Sequence, residues 1–133
     1  TQLIIAHILE HTKSLRVGSG GVMLPNHSPY SIAEQYATLE TLYPNRVDLG
    51  LGRAPGTDLE TAAVLRRGAR EMEFNMQINE LMDYFNAKRA VKAYPKVDKI
   101  PPIYILGSAY IAHTWRLSLA CLTPLRRTLH HVR

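Results

Sequence analysis

The sequence predicts an α/β fold with a parallel sheet, and three observations support this class. Short apolar runs ending in glycine or another small residue alternate with longer amphipathic stretches. Their order is helix, strand, helix, strand, two helices, strand, helix, which is typical of parallel strands joined by right-handed crossovers. The chain has 133 residues and is 46% hydrophobic, which is enough for one ordinary core.

The first half contains two predicted helices around a glycine-rich strand. The helix predicted over 1–14 has one broad apolar face, and its end is loosened by Thr12 to Ser14. A β-rich run over 15–25 follows, interrupted by Gly18, Gly20 and Gly21. For the second helix, Ser28 is the predicted N-cap, Pro29 takes the first helical position, and Pro44 stops it.

The second half begins with a short apolar strand over 46–54 and two predicted helices, over 58–70 and 72–90. The second of these helices carries one apolar stripe, which indicates a core face rather than a partner groove: Phe74, Ile78, Leu81, Met82 and Phe85. A third strand is predicted over 103–108 and a further helix over 109–122.

Three loops follow the predicted strands: 18–21, 50–58 and 107–109. Ligands of parallel α/β folds sit at the carboxyl ends of the strands, so these loops are the candidate site. The middle loop, GLGRAPGTD, resembles the dinucleotide fingerprint with one residue too many, because Pro55 and Gly56 form a turn before the helix that Asp58 caps. Arg53 then either holds a phosphate or faces solvent from a tight turn.

The charge distribution argues against a nucleic-acid partner. Of the net charge of +5, residues 1–115 supply +1, from 12 Lys+Arg against 11 Asp+Glu, and four arginines near the C-terminus supply the rest. No apolar run is long enough for a membrane span. The single cysteine, Cys121, suits a reducing compartment, so a cytoplasmic location is expected.

Other candidate residues are less specific. His7 and His11 have helical i, i+4 spacing, but without a third ligand they indicate a surface or interface rather than a metal site. His130 and His131 lack a nearby carboxylate, and Cys121 lacks a partner base. Asn26-His27 follows a strand end and is a candidate for substrate contact. No residue stands out as a proton donor or base, so the catalytic residues are unknown.

The stretch RVGSGGVMLPNHSPYSIAEQYATLETLYPNRVDLGLGRAPGTD, residues 16–58, resembles the luciferase-like flavin-dependent monooxygenases. The resemblance continues more weakly through PPIYILGS. It implies a (β/α)8 barrel (TIM barrel), of which this chain would supply about three βα units. It also implies that the segment corresponding to Gly20–Gly21 packs against the flavin ring, often through a non-prolyl cis peptide.

From the resemblance, the cofactor-binding residues are Gly20, Gly21 and Gly52, which would give the ring room, and Arg53, which would contact the phosphate. The implied cofactor is FMN, with a deazaflavin as the less expected choice. The implied activity oxidises a small organic substrate with reduced flavin and O2. A flavin reductase or NAD(P)H would supply electrons, and a homo-oligomer is expected.

The chain departs from the family in length and in its C-terminal part. Residues 1–113 resemble a fragment of the barrel, whereas 114–133 form a basic tail without acidic residues. Read from the third base of Thr114, permitted codons encode LAAQLGLPYAFASHFAPR, a family-like segment, which suggests a frameshift near His113–Trp115. Two alternatives to the enzyme follow: a catalytically inactive, self-associating remnant, or a small α/β module that binds an anion through Arg53.

Overall fold

The computed structural model describes residues 1–54, 56–66 and 73–106, which form a parallel sheet with helices packed on it. The helices in these ranges are α1 (Gln2–Glu10), α2 (Pro29–Leu42), α3 (Leu59–Arg66) and α4 (Phe74–Phe85). The strands are β1 (Val17–Gly18), β2 (Val22–Met23), β3 (Val47–Gly52) and β4 (Ile103–Leu106), and a short 3-10 turn spans Leu24–Asn26. The α/β class and the parallel sheet are confirmed. The helix predicted over 109–122 and the basic tail lie outside the described residues.

Strand β3 is the centre of the sheet. β1 and β2 pair along one of its edges and β4 along the other, all in parallel. The single strand predicted over 15–25 is thus divided in two. The reason is the register: Val17 pairs with Val47, thirty residues ahead, whereas Val22 pairs with Leu51, twenty-nine ahead. One extra residue lies between β1 and β2, as in a β-bulge.

The local signals for helix ends agree with the structure in α1 and at the starts of α2 and α3, whereas α4 ends at Phe85, five residues before the predicted end. Helix α1 ends at Glu10, and the Thr12 hydroxyl then donates to the Ile8 carbonyl at 2.7 Å, as expected of a loosened end. Helix α2 starts at Pro29 with Ser28 as N-cap, although the Ser28 side chain makes no capping hydrogen bond. The Asp58 carboxylate caps α3 by accepting the Thr61 amide at 2.8 Å.

The hydrophobic core lies between the helices and one face of β3. Val47, Leu49 and Leu51 are fully buried there, and α2 packs on both β3 and α4. The predicted stripe of α4 is its core face: Phe74, Ile78, Leu81 and Phe85 are buried, and Met82 packs against the same cluster. This confirms the core interpretation of that stripe over the partner groove.

Candidate functional site at the carboxyl edge of the sheet

The two faces of β3 differ completely because side chains alternate along a strand. Val47, Leu49 and Leu51 point to the helices, so Asp48, Gly50 and Gly52 point the other way. Tyr104 and Leu106 of β4 pair with these two glycines and are 38% and 39% exposed. We call this surface the glycine face: Asp48, Gly50, Gly52, Tyr104 and Leu106. It has little side-chain bulk along its central strand.

Close backbone packing explains two of the glycines. A Cβ on Gly21 would lie 2.7 Å from both the Gly50 carbonyl oxygen and Leu106 Cδ1, and a Cβ on Gly50 would collide with the Ser19 carbonyl oxygen. The bulge between β1 and β2 therefore sits directly against β3, and neither position tolerates a side chain. Gly21, a predicted cofactor residue, is thus required by the protein's own packing, whatever it binds.

Gly20 has a different environment. A Cβ at this position would meet no atom within 4 Å, and its φ lies outside the left-handed region. The Gly20–Gly21 peptide bond is cis, as the resemblance implied. Gly20 is therefore exposed backbone that faces open space rather than another part of the described chain.

The end of β3 carries the other two predicted residues, Gly52 and Arg53. A Cβ on Gly52 would lie 2.8 Å from the Met23 sulfur, so a flexible thioether covers this glycine. Arg53 follows immediately, is exposed, and makes no ion pair with another described residue. An unpaired guanidinium at a strand end is available to bind an anion through two parallel hydrogen bonds.

The turn after Arg53 is shaped by Gly56 and Asp58. Gly56 has a φ of +66°, a backbone conformation that residues with a side chain rarely adopt. Hydrogen bonds from the Thr61 amide and hydroxyl lower the pKa of Asp58 to about 2. The carboxylate of Asp58 is therefore charged at neutral pH and is used as a helix cap rather than as an acid or base.

The opposite, amino end of the sheet holds a polar network. The Arg16 guanidinium binds both carboxylate oxygens of Asp48 and the carbonyl oxygen of Asn45, and its hydrogen bond to Asp48 raises the pKa of Arg16. Asn45 has a backbone φ of 61°, and its side-chain oxygen accepts a hydrogen bond from the Lys99 ammonium at 2.6 Å. Asp48 lies on the glycine face, but its carboxylate is occupied by Arg16 and is not a free base.

Asn26 and His27 follow β2 on the side of the carboxyl edge, as predicted, but only one of them is accessible. Asn26 is buried, whereas His27 is exposed. Partial desolvation lowers the pKa of His27. The neutral imidazole at pH 7 can accept or donate one hydrogen bond.

The remaining sequence candidates lie apart from this edge or outside the described chain. His7 and His11 contact each other on the exposed side of α1 with tilted rings whose centroids lie 4.2 Å apart, and His11 Nδ1 lies 2.8 Å from the His7 carbonyl oxygen. The described residues contain no group of three or more potential metal ligands and no helix long and apolar enough to cross a membrane. Cys121, His130, His131 and the loop 107–109 lie outside them.

Sequence reasoning missed Ser19, Met23 and Leu106. Ser19 is buried and bonded to Gly50, while the other two side chains flank the glycines. The only signal for Ser19 was a hydroxyl residue inside the run Gly18–Gly21. Met23 and Leu106 look like ordinary apolar strand residues, and only the register places them beside Gly52 and Gly21.

Comparisons with known proteins agree with this architecture. The sequence profile of the luciferase-like monooxygenase family matches residues 2–114. The chain is 52% identical over 114 residues to the uncharacterized protein YddN of Bacillus subtilis, and 46% identical over 114 residues to a luciferase-like monooxygenase of Escherichia coli K12. Each alignment covers 82% of this chain and 34% of the relative.

A solved structure is similar as well. The crystal structure of apo-MsnO8 superimposes with a TM-score of 0.77 at 32% identity, covering 89% of this chain and 36% of that one. The fold class predicted from the sequence, a partial barrel of this type, is thereby confirmed. The chain spans about a third of the length of the relatives it matches. By the extent of the family match and these identities, the chain belongs to the luciferase-like monooxygenase family.

Proposed function

We propose that the intact protein is a flavin-dependent monooxygenase in which reduced flavin and O2 oxidise a small organic substrate. Membership of a monooxygenase family supports the reaction type. The cofactor proposal rests on two features near the carboxyl edge of the sheet: the exposed backbone at Gly20, and the Arg53 guanidinium, which forms no ion pair with another described residue. A flat ring can approach closely where the backbone has no side chain, as at Gly20. A phosphate can bind a guanidinium such as that of Arg53 through two parallel hydrogen bonds.

The residues present fit FMN. Gly20 and Gly21 would let the isoalloxazine ring approach the backbone, whereas Gly52 is covered by the Met23 thioether, which would have to move for the ring to reach it. Arg53 would bind the phosphate with two charge-assisted hydrogen bonds. Deazaflavin is the less favoured cofactor.

When bound, reduced flavin supplies the electrons that activate O2, and the chain's own residues bind and orient the reactants. Met23 and Leu106 place apolar atoms beside the glycines and would limit water around the ring. His27 is a candidate for contact with the substrate. Electrons would come from a flavin reductase or NAD(P)H. A homo-oligomeric, cytoplasmic enzyme is part of the same proposal.

The ring contact is tested with Gly20→Ala. The added methyl meets no atom of the described residues, so the far-UV circular dichroism and melting temperature should match those of the parent chain. The methyl would enter the space proposed for the ring, so Kd for FMN, followed by quenching of flavin fluorescence, should rise at least about tenfold, or 1.4 kcal/mol. Unchanged affinity in a folded Gly20→Ala variant contradicts the ring position.

The phosphate contact is tested with Arg53→Gln and two ligands. A lost charge-assisted bidentate contact of about 1.5–3 kcal/mol should weaken FMN binding roughly 10- to 100-fold. Riboflavin, which has no phosphate, should bind the parent and the variant within about threefold of each other. Equal losses for both ligands would show that Arg53 supports the fold or the ring instead of the phosphate.

A second candidate is an inactive, self-associating remnant. Within the described ranges, β4 pairs only with β3, so one edge of β4 has unpaired backbone groups, and Tyr104 and Leu106 beside it are over a third exposed. This candidate predicts no flavin binding together with concentration-dependent oligomers in analytical ultracentrifugation. A soluble monomer that binds inorganic phosphate but shows no preference for flavins would instead indicate the small anion-binding module.

A further inference from the structure

The ladder between β1 and β3 follows a regular pattern up to Ser19. The Val17 amide donates to the Arg46 carbonyl at 2.9 Å, and the Ser19 amide donates to the Asp48 carbonyl at 3.2 Å. Donors and acceptors thus advance by two residues on each strand, as in parallel sheets. Continued in this way, the Gly21 amide would donate to the Gly50 carbonyl.

The bulge interrupts this pattern, and the Ser19 side chain fills the gap. Its hydroxyl donates to the Gly50 carbonyl at 2.9 Å and accepts from the Gly50 amide at 3.1 Å. Ser19 is 8% exposed and Gly50 is buried, so water does not readily replace these bonds. One side chain therefore satisfies both backbone groups of the central strand at the bulge.

The other neighbour of β3 does not supply an alternative partner. The Leu49 amide donates to the Pro102 carbonyl at 2.9 Å, so the ladder to β4 uses odd-numbered residues of β3. The backbone groups of Gly50 consequently face the bulge. The Gly50 amide donates to the Ser19 hydroxyl, and the Gly50 carbonyl accepts from it, before the ladder resumes where Val22 pairs with Leu51.

The same contact fixes the chain that follows. A Cβ on Gly21 would lie 2.7 Å from the Gly50 carbonyl oxygen, which shows how closely the bulge is seated. Gly20 lies between this tight contact and the Ser19 hydrogen bonds, yet itself faces open space. We propose that Ser19 is a positioning residue, which holds the Gly20–Gly21 backbone in the orientation that binds the flavin ring. This inference rests on the proposed function.

The test uses the full 133-residue chain and measures Kd for FMN and for riboflavin at a temperature where circular dichroism shows each variant folded. Ser19→Ala removes the hydroxyl and should raise both Kd values about tenfold, because the ring contact, not the phosphate contact, is lost. Ser19→Thr keeps the hydroxyl and should stay within about threefold of the parent. Ser19→Cys has a side chain of similar volume but a weaker hydrogen-bond donor, so its Kd values should lie between those of the Ala and Thr variants. It replaces Ser19→Ala if that variant does not fold.

Thr41→Val is the matched control, since it removes a hydroxyl that donates to the Ala37 carbonyl at 2.8 Å within α2. It should leave both Kd values and the visible spectrum of the bound flavin unchanged. If Ser19→Ala binds both flavins like the parent while its melting temperature falls, the positioning role is overturned and Ser19 is only structural. If the unsubstituted 133-residue chain binds neither flavin, its residues do not hold the ring by themselves, and the positioning role of Ser19 is overturned for this chain.

Discussion

Replacing Leu81 by Ala is the most direct test of the described core. Leu81 lies in the middle of α4, is 0% exposed, and belongs to the cluster that joins α4 to α2 and β3. Losing its buried methyl groups removes about 2 kcal/mol of transfer free energy, and the cavity left behind adds to this, for a total of about 3 kcal/mol. With a urea m value of about 1.5 kcal/mol/M, the unfolding midpoint should fall by about 2 M.

Leu42→Ala is the matched control because it is the same substitution on the packed partner helix α2, at a side chain that is 62% exposed. It should change the free energy of unfolding by less than about 0.5 kcal/mol. Urea denaturation of the two variants, followed by circular dichroism, gives the comparison, and Leu81→Met is the milder core variant if Leu81→Ala does not fold. Equal effects at positions 42 and 81 would refute the packing of α4 on α2.

Two further predictions concern pH and the coding DNA. The pKa of Asp58 in the folded chain, about 2, lies below the ordinary value of 3.8, so the stability that this cap contributes is complete above pH 3.8 and is lost as the pH falls through about 2. Asp58→Asn keeps a capping side chain and should remove that part of the acid dependence of the melting temperature, whereas an NMR titration giving Asp58 an ordinary pKa would contradict the cap. For the tail, DNA sequencing across His113–Trp115 should show LAAQLGLPYAFASHFAPR in the frame that starts at the third base of Thr114. A shifted frame with no family-like segment would remove the frameshift hypothesis.

Helix α2 shows what local sequence signals can predict. Pro29 fixes its first turn and Pro44 prevents its continuation, so the structured range Pro29–Leu42 differs little from the prediction. The apolar stripe on α4 was equally predictable, because the spacing of Phe74, Ile78 and Leu81 places them on one side of any helix. The cap by Asp58 follows from the same local chemistry.

The candidate site was only partly predictable. The four residues Gly20, Gly21, Gly52 and Arg53 were taken from a family resemblance, and their role in flavin binding remains a proposal. The glycines among them have different surroundings: a side chain at Gly21 would collide with the Gly50 carbonyl, whereas Gly20 faces open space. Sequence gives no means of separating these cases, because the separation depends on a strand thirty residues away.

By itself the sequence determined the α/β class, the order of the elements, the core face of α4 and the family, because these depend on local periodicity and on a long continuous resemblance. The tertiary structure alone decided the bulge between β1 and β2, the bonding of Ser19 to Gly50, and the contact of Leu106 with the glycines. The physical reason is register: a shift of one residue between paired strands changes which backbone groups need a partner and which side chains share a face.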